Sequence, residues 1–493
     1  MLRLSSFFCL LFLSVSSNAQ TISDALRYSF LQAGGTARSM GLGGSMSAIG
    51  GEFATISINP AGLAVYRSSD FMFTPSFQHT NTSSTLMGNG NNARSEKGNN
   101  LALDNLGIVF SSTPIASNWK TVNLGIGMNK LANYSQEFAY EGISKGSIVD
   151  RFTELANGFS PDQLYPYEEG LAYRTEAIYE IGDNFYGSDF QEAPDADIIR
   201  NQEITRSGKY NEMVFALGAN YNHKLMMGLT VGVPFIEYEE NKVYQEENNE
   251  DETIPNFRDL TFEENLRTTG IGINVKLGAI YRINQMFRAG LAFHSPTSLR
   301  LTDRWDASLN YDFTFDDQRF DNFAEEPEST PFEYKLTTPM RAILSAGAII
   351  KRSGFISAEV EYVDYAQSKF DLTINTSDQA TADYEEILNQ EIKDNFTSAL
   401  NIRLGGEYAL KKFRFRAGYG ILGTPYANDS SYNSTYSFGL GIRERKFYLD
   451  LAYKHTEVAE IFTPYRLTST SAEQLVNSNM NLNRYILTIG FRF

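Results

Sequence analysis

From about residue 70 to Phe493 the chain alternates, and the alternation comes in pieces roughly ten residues long. "RYILTIGFRF" (484–493) is the clearest piece. Tyr485, Leu487, Ile489, Phe491 and Phe493 point one way, and Arg484, Ile486, Thr488, Gly490 and Arg492 point the other. Residues two apart share one face of a strand, so a period of two predicts β-structure. "FYLDLAYKH" (447–455) and "FRFRAGYG" (413–420) repeat the pattern with Asp450, Lys454, Arg414 and Arg416 opposite large apolar rows. Faces so different need two solvents. A soluble sandwich supplies a core and water, and a membrane barrel supplies lipid outside and a polar lumen inside.

Connection lengths separate the two. Tight turns fall at Asn284-Gln285, Ser353-Gly354 and Lys411-Lys412, with Met226-Met227 and Glu444-Lys446 similar. Between them lie long polar connections at about 81–103, 131–209, 239–266, 302–338, 366–396, 422–432 and 458–481. Short and long connections alternate, as in outer-membrane barrels, where turns are short on one side and loops long on the other. The pieces number fourteen, an even count that puts both ends on the short-turn side. A closed barrel also leaves no unpaired edge in lipid. The expectation is an all-β fold: a 14-stranded antiparallel transmembrane β-barrel spanning 70–493.

The remainder of the chain excludes most chemistry. Residues 1–19 read as a secretory signal, with Arg3, the apolar "FFCLLFLSV" (7–15) and Ser17-Asn18-Ala19 before the cut. Cys9 lies inside it and is the sole cysteine, so disulfides and thiol catalysis are excluded from the mature chain. A net charge of −17 argues against nucleic acid. His79, His223, His294 and His455 have no helical zinc spacing. Ser295 beside His294 cannot form a nucleophile–base pair, because successive strand residues face opposite ways. No enzyme, metal or cofactor is expected. Residues 239–266 hold ten acids against Lys242 and Arg258, which reads as a solvated loop. The glycine run at 41–51 lacks GxxxxGK[ST] and has no strand before it, so it is no phosphate loop.

"GTARSMGLGGSMSAIGGEFATISINPAGLAVYR" (35–67) resembles the N-terminal segment of the FadL/TodX family, outer-membrane transporters of hydrophobic compounds. Asn59, Pro60 and Ala61 match its Asn-Pro-Ala, followed by Gly62 and Leu63. "GINVKLGAIYRINQMFRAGLAFHSPTSLRL" (272–301), "AEVEYVDYAQSKF" (358–370) and "NIRLGGEYALKKFRFRAGYG" (401–420) look like its later strands, and the 131–209 insertion is larger than the family leads one to expect.

The resemblance implies a monomer in the Gram-negative outer membrane, in contact with membrane lipid and lipopolysaccharide. Residues 20–69 would be a plug inside the lumen, with Asn59, Pro60, Ala61 and Gly62 as gate residues against the wall. Hydrophobic ligands such as long-chain fatty acids would be captured outside and leave sideways at a kink in the third strand, about 120–130. Gly125 and Gly127 either make that kink or leave room for the plug. Ile56, Ile58, Leu63 and Val65 either line a pocket or pack against the wall. An adhesion barrel acting through the acidic loops, and uptake of another apolar ligand such as haem, are the alternatives.

Overall fold

The computed structural model describes residues 21–31, 34–88, 90–194, 196–249, 254–351, 353–376, 378–429, 431–467 and 474–493. The signal segment 1–19 and the acids Glu250, Asp251 and Glu252 lie outside them. Fourteen antiparallel strands form the wall. They are β1 (Asp70–Leu86), β2 (Arg94–Ser112), β3 (Trp119–Asn133, continued by Gln136–Lys145), β4 (Asp197–Tyr221) and β5 (Leu225–Asn248). Next come β6 (Phe257–Arg282), β7 (Phe287–His294 and Ser298–Phe315) and β8 (Gln318–Glu326, Phe332–Thr337 and Arg341–Ile350). The circuit continues with β9 (Gly354–Asp364 and Lys369–Asp371), β10 (Ser398–Leu410), β11 (Phe413–Gly423), β12 (Tyr432–Arg443), β13 (Phe447–Phe462) and β14 (Val476–Arg492). β14 closes on β1 from Asp70↔Arg492 to Leu86↔Val476.

The wall is apolar outside and charged inside. On β6, Ile271, Ile273, Val275 and Leu277 face outward and exposed, while Asn274 and Lys276 between them are buried. On β10, Leu400, Ile402 and Leu404 face out and Asn401 and Arg403 face in. A water-soluble barrel would invert this arrangement, so the outer band, for example Met227–Phe235 on β5, is lipid-facing.

The strands run well past that band. β6 is 26 residues long, where about 9–11 tilted residues cross a bilayer. Most of 81–103, 239–266 and 302–338, assigned to loops on sequence, is therefore ladder. Above the lipid the outer face meets water while the inner face packs on other segments of the chain, helices Ile148–Ala156 and Ile22–Ser29 among them, so the outward apolar row is lost while pairing continues. Cross-strand ion pairs such as Lys209–Glu237 at 2.9 Å replace it. The β4–β5 turn lies at Asn222-His223-Lys224 and not at Met226-Met227, with Asn222 and His223 at positive φ of 51° and 56°.

Inside the barrel, helix α1 (Ile22–Ser29) stands on the long-loop side and α2 (Ala37–Met40) follows it. Two 3-10 turns, Phe53–Ser57 and Pro60–Val65, complete a plug whose residues are almost all buried. Between β3 and β4 the chain builds a cap from α3 (Ile148–Ala156), α4 (Glu169–Arg174) and a small hairpin, Tyr179–Gly182 with Phe185–Gly187. Helix α5 (Gln379–Asn395) lies between β9 and β10 and packs Leu388 and Ile392 into the cluster that holds α1.

Candidate functional site

The plug is seated by backbone, not by side chains alone. Asn59 is fully buried, and its Oδ1 accepts from the Ala61 N–H at 3.1 Å, capping the turn that Pro60 opens. Proline costs no bond there, since its missing N–H would have had no partner. The Asn59 Nδ2 donates to the Ser47 carbonyl at 3.0 Å, tying two parts of the plug together. Gly62 lies against Thr55 and accepts from the Gly51 N–H at 2.9 Å.

Asn59, Pro60 and Ala61 press on β5 and β6. A Cβ added at Gly228 would stand 2.2 Å from the Pro60 carbonyl carbon, and one at Gly278 2.0 Å from the Asn59 Oδ1. The same close approach recurs at Gly218, Gly290, Gly405 and Gly418 around the lumen. Only bare backbone leaves enough width for the plug.

Gly125 and Gly127 belong to this set. Both sit in unbroken ladder, opposite Val109 and Gly107 on β2 and Ala216 and Val214 on β4. Added side chains there would strike Ile56 and Phe53 of the plug. Ile56 and Leu63 pack with Val109, Val214 and Ala216 of the wall, and Val65 packs beside Ala61 and Ala64. Of the four apolar positions named from sequence, Ile58 borders the cavity above the plug.

That cavity, of about 60 Å³, lies directly above the plug. Leu31, Ile58 and Leu131 line it together with Lys276, His294 and Arg341. His294 Nε2 donates to the Ile58 carbonyl at 2.7 Å, the only direction a carbonyl allows. Lys276 pairs with Glu212, and Arg341 with Glu361. Arg403 bridges Glu361 and Glu359, the latter at 2.7 Å, while Ser47 of the plug donates to Glu359. A second network joins Arg38 of the plug to Glu407 at 3.1 Å, then Arg416 and Asp450. Buried ions persist only when paired, as these are. Of these residues the sequence alternation placed Arg416 and Asp450 on the polar face, and it could not pair them across strands.

The wall has a seam between β2 and β3. β2 and β3 are laddered from Ser112↔Val122 to Asn105↔Asn129 and no further. Above that, β2 pairs only with β1, and Gln136–Lys145 only with β4. The β3–β4 register slips between Lys130 and Ala132, so the break lies there and not at Gly125 or Gly127. Side chains bridge the gap: Asn105 donates to Asn129 at 2.7 Å, and Asn100 to Ser135 at 2.9 Å. Asn129 in turn donates to Ser57 of the plug at 2.8 Å. Ser57 and Leu131 both border the cavity, so the seam begins at its edge. No local sequence signal marks Asn100, Asn105, Asn129, Ser135 or Ser57, because an edge is defined by the partner it lacks.

The long-loop mouth is filled by the cap. Phe152, Leu171, Ile178 and Phe190 pack on Tyr244, Phe257, Phe262, Leu309 and Tyr311 of β5–β7, and reach Tyr465 between β13 and β14. Glu246 of β5 accepts from the Ile148 N–H at 3.0 Å, holding the start of α3, where the helix dipole favours a carboxylate. Fully buried Arg200 donates to Tyr244 at 3.0 Å and to Tyr465 at 3.1 Å beside it.

A plugged, capped barrel of fourteen strands with an unzipped stretch of wall beside its cavity is a specific arrangement. A FadL homologue from Pseudomonas aeruginosa superposes with a TM-score of 0.55 at 12% identity, covering 94% of this chain and 100% of that one. The fold is the FadL fold. The Pseudomonas putida toluene transporter TodX aligns over 94% of this chain and 99% of its own at a TM-score of 0.51 and 11% identity. No family model matches the sequence, and no curated protein does. The FadL fold is therefore evident here in three dimensions at an identity where residue-by-residue matching fades.

Proposed function

We propose that this barrel is an outer-membrane channel for passive uptake of hydrophobic small molecules, long-chain fatty acids among them. The observation that carries the reading is the seam above Asn105↔Asn129, which starts at the edge of the cavity. The plug blocks the axial way down and the cap fills the axial way in, so a ligand in the cavity has its shortest path sideways. A molecule that prefers hydrocarbon gains by leaving through a wall into lipid, and an ion or sugar does not. The cavity has a mixed lining of apolar and charged groups, which suits the polar end of a ligand whose apolar body extends beyond it. Outside, lipopolysaccharide bars direct partition of such molecules, and the long-loop segments would collect them first. Transport runs down the gradient, in a monomer, with no bond made or broken.

The test is a reversible lock on the seam. Asn100→Cys with Ser135→Cys replaces a 2.9 Å hydrogen bond by a disulfide in a chain whose only other cysteine is Cys9. Oxidised cells should lose uptake of labelled oleate and regain it with dithiothreitol. Equal uptake in the oxidised and reduced states would remove the sideways route.

A further inference from the structure

Glycines of the inner face make room for the plug, but Gly406 faces lipid. Two ladder rows cross the outer wall there, just above the short turns. The lower runs Ile350, Gly354, Tyr408 and Phe415, and the upper runs Ala348, Ile356, Gly406 and Ala417. Glycine weakens a strand and usually marks a close approach by something else. No protein segment approaches Gly406 from outside: its nearest neighbours are Ile356 and the Phe355 carbonyl, both at 3.8 Å from an added Cβ. What it leaves is an apolar groove of about 530 Å³, with Ile350, Ile356, Tyr408 and Phe415 as its walls.

The foot of the groove is basic. The turns carrying Lys351 and Lys411 lie side by side, joined by the Ala409 N–H donating to the Ser353 carbonyl at 2.7 Å. Both lysines are exposed, and neither forms an ion pair among the described residues. Neighbouring Lys412 is taken by Glu444 at 3.3 Å. The chain carries −17 overall, yet its described short turns hold Lys224, Lys351, Lys411, Lys412, Arg445 and Lys446 against Glu444 alone. The described short turns are thus net basic in a chain that is net acidic.

We propose that the groove and these two lysines bind one anionic phospholipid of the short-turn leaflet, an acyl chain along Gly406 and the headgroup phosphate between Lys351 and Lys411. Charge complementarity selects the occupant. A neutral hydrocarbon has no use for the lysines, and a soluble anion has none for the groove.

Purified barrel in detergent, mixed with equimolar phosphatidylglycerol and phosphatidylcholine, should retain one phosphatidylglycerol preferentially by native mass spectrometry. Lys351→Gln with Lys411→Gln should reduce that preference by about fivefold for each lysine, the usual weight of a basic residue at a headgroup. Gly406→Phe fills the groove and should reduce retention of phosphatidylglycerol whatever the lysines do. Heat-modifiable gel mobility reports whether Gly406→Phe assembles. If it does not, the lysine pair, which touches no packed contact, decides the matter. Equal retention of both lipids by the wild type overturns the site, as does an assembled Gly406→Phe that holds phosphatidylglycerol normally, or a lysine pair with preference intact.

Discussion

Asn59 does two jobs with one amide: it caps the Pro60–Val65 turn and holds the Ser47 carbonyl. Asn59→Ala removes a cap of about 1 kcal/mol and strands a buried carbonyl besides. Hydrogen exchange should quicken in residues 47–66 while β5 and β6 stay protected. Pro60→Ala keeps both bonds, and its effect should be smaller. Gly278→Val is more severe, because its side chain would occupy the place of the Asn59 Oδ1. The barrel of that variant should conduct ions in a planar bilayer, where the wild type stays closed. The turn chemistry of "NPAG" was legible because it is local. Its seat was not, since Gly228 and Gly278 lie more than 150 residues away and a glycine looks alike whether it bends a strand or admits a plug. Gly125 and Gly127 carry the same ambiguity: they sit in unbroken ladder with Ile56 and Phe53 of the plug beside them.

At the scale of elements, α1 is held by charge. Its Arg27 lies 4.1 Å over the ring of Tyr238, whose hydroxyl donates to Glu240 at 2.8 Å, and Arg206 binds the same carboxylate. Burial works to raise the Glu240 carboxyl, but Lys242, Arg206 and Arg27 overcome it and hold the group well below the usual carboxylate range. A carboxyl depressed in the folded state contributes stability above its unfolded value, and that contribution drains away as pH falls toward the folded one. Protection factors within residues 22–29, taken against the intrinsic exchange rate at each pH, should therefore be high at neutral pH and fall under strong acid, and Glu240→Gln should lower them at neutral pH. Glu246→Ala is the matching test for the cap: the N-terminus of α3 loses its acceptor, and exchange in 148–156 should rise. The number and order of strands were readable from alternation, because lipid imposes it. The strand tops and the cap were not, because above the lipid the outward row meets water and the inward row packs on segments distant in the chain.

For the whole molecule, the arrangement is a chamber closed below by the plug and above by the cap, with a seam in the wall where β2 and β3 part beside the chamber. The inner wall at plug level is bare backbone at Gly218, Gly228, Gly278, Gly290, Gly405 and Gly418, and two ion networks cross from plug to wall. Emptied, that wall would expose peptide groups and unpaired charges with nothing against them. Assembly then has a preferred order. Residues 34–66 precede β1, so they are available as a mandrel around which the later strands wind before β14 meets β1. A barrel expressed without them should stall as an open sheet, and adding the segment back as a separate peptide should let it close.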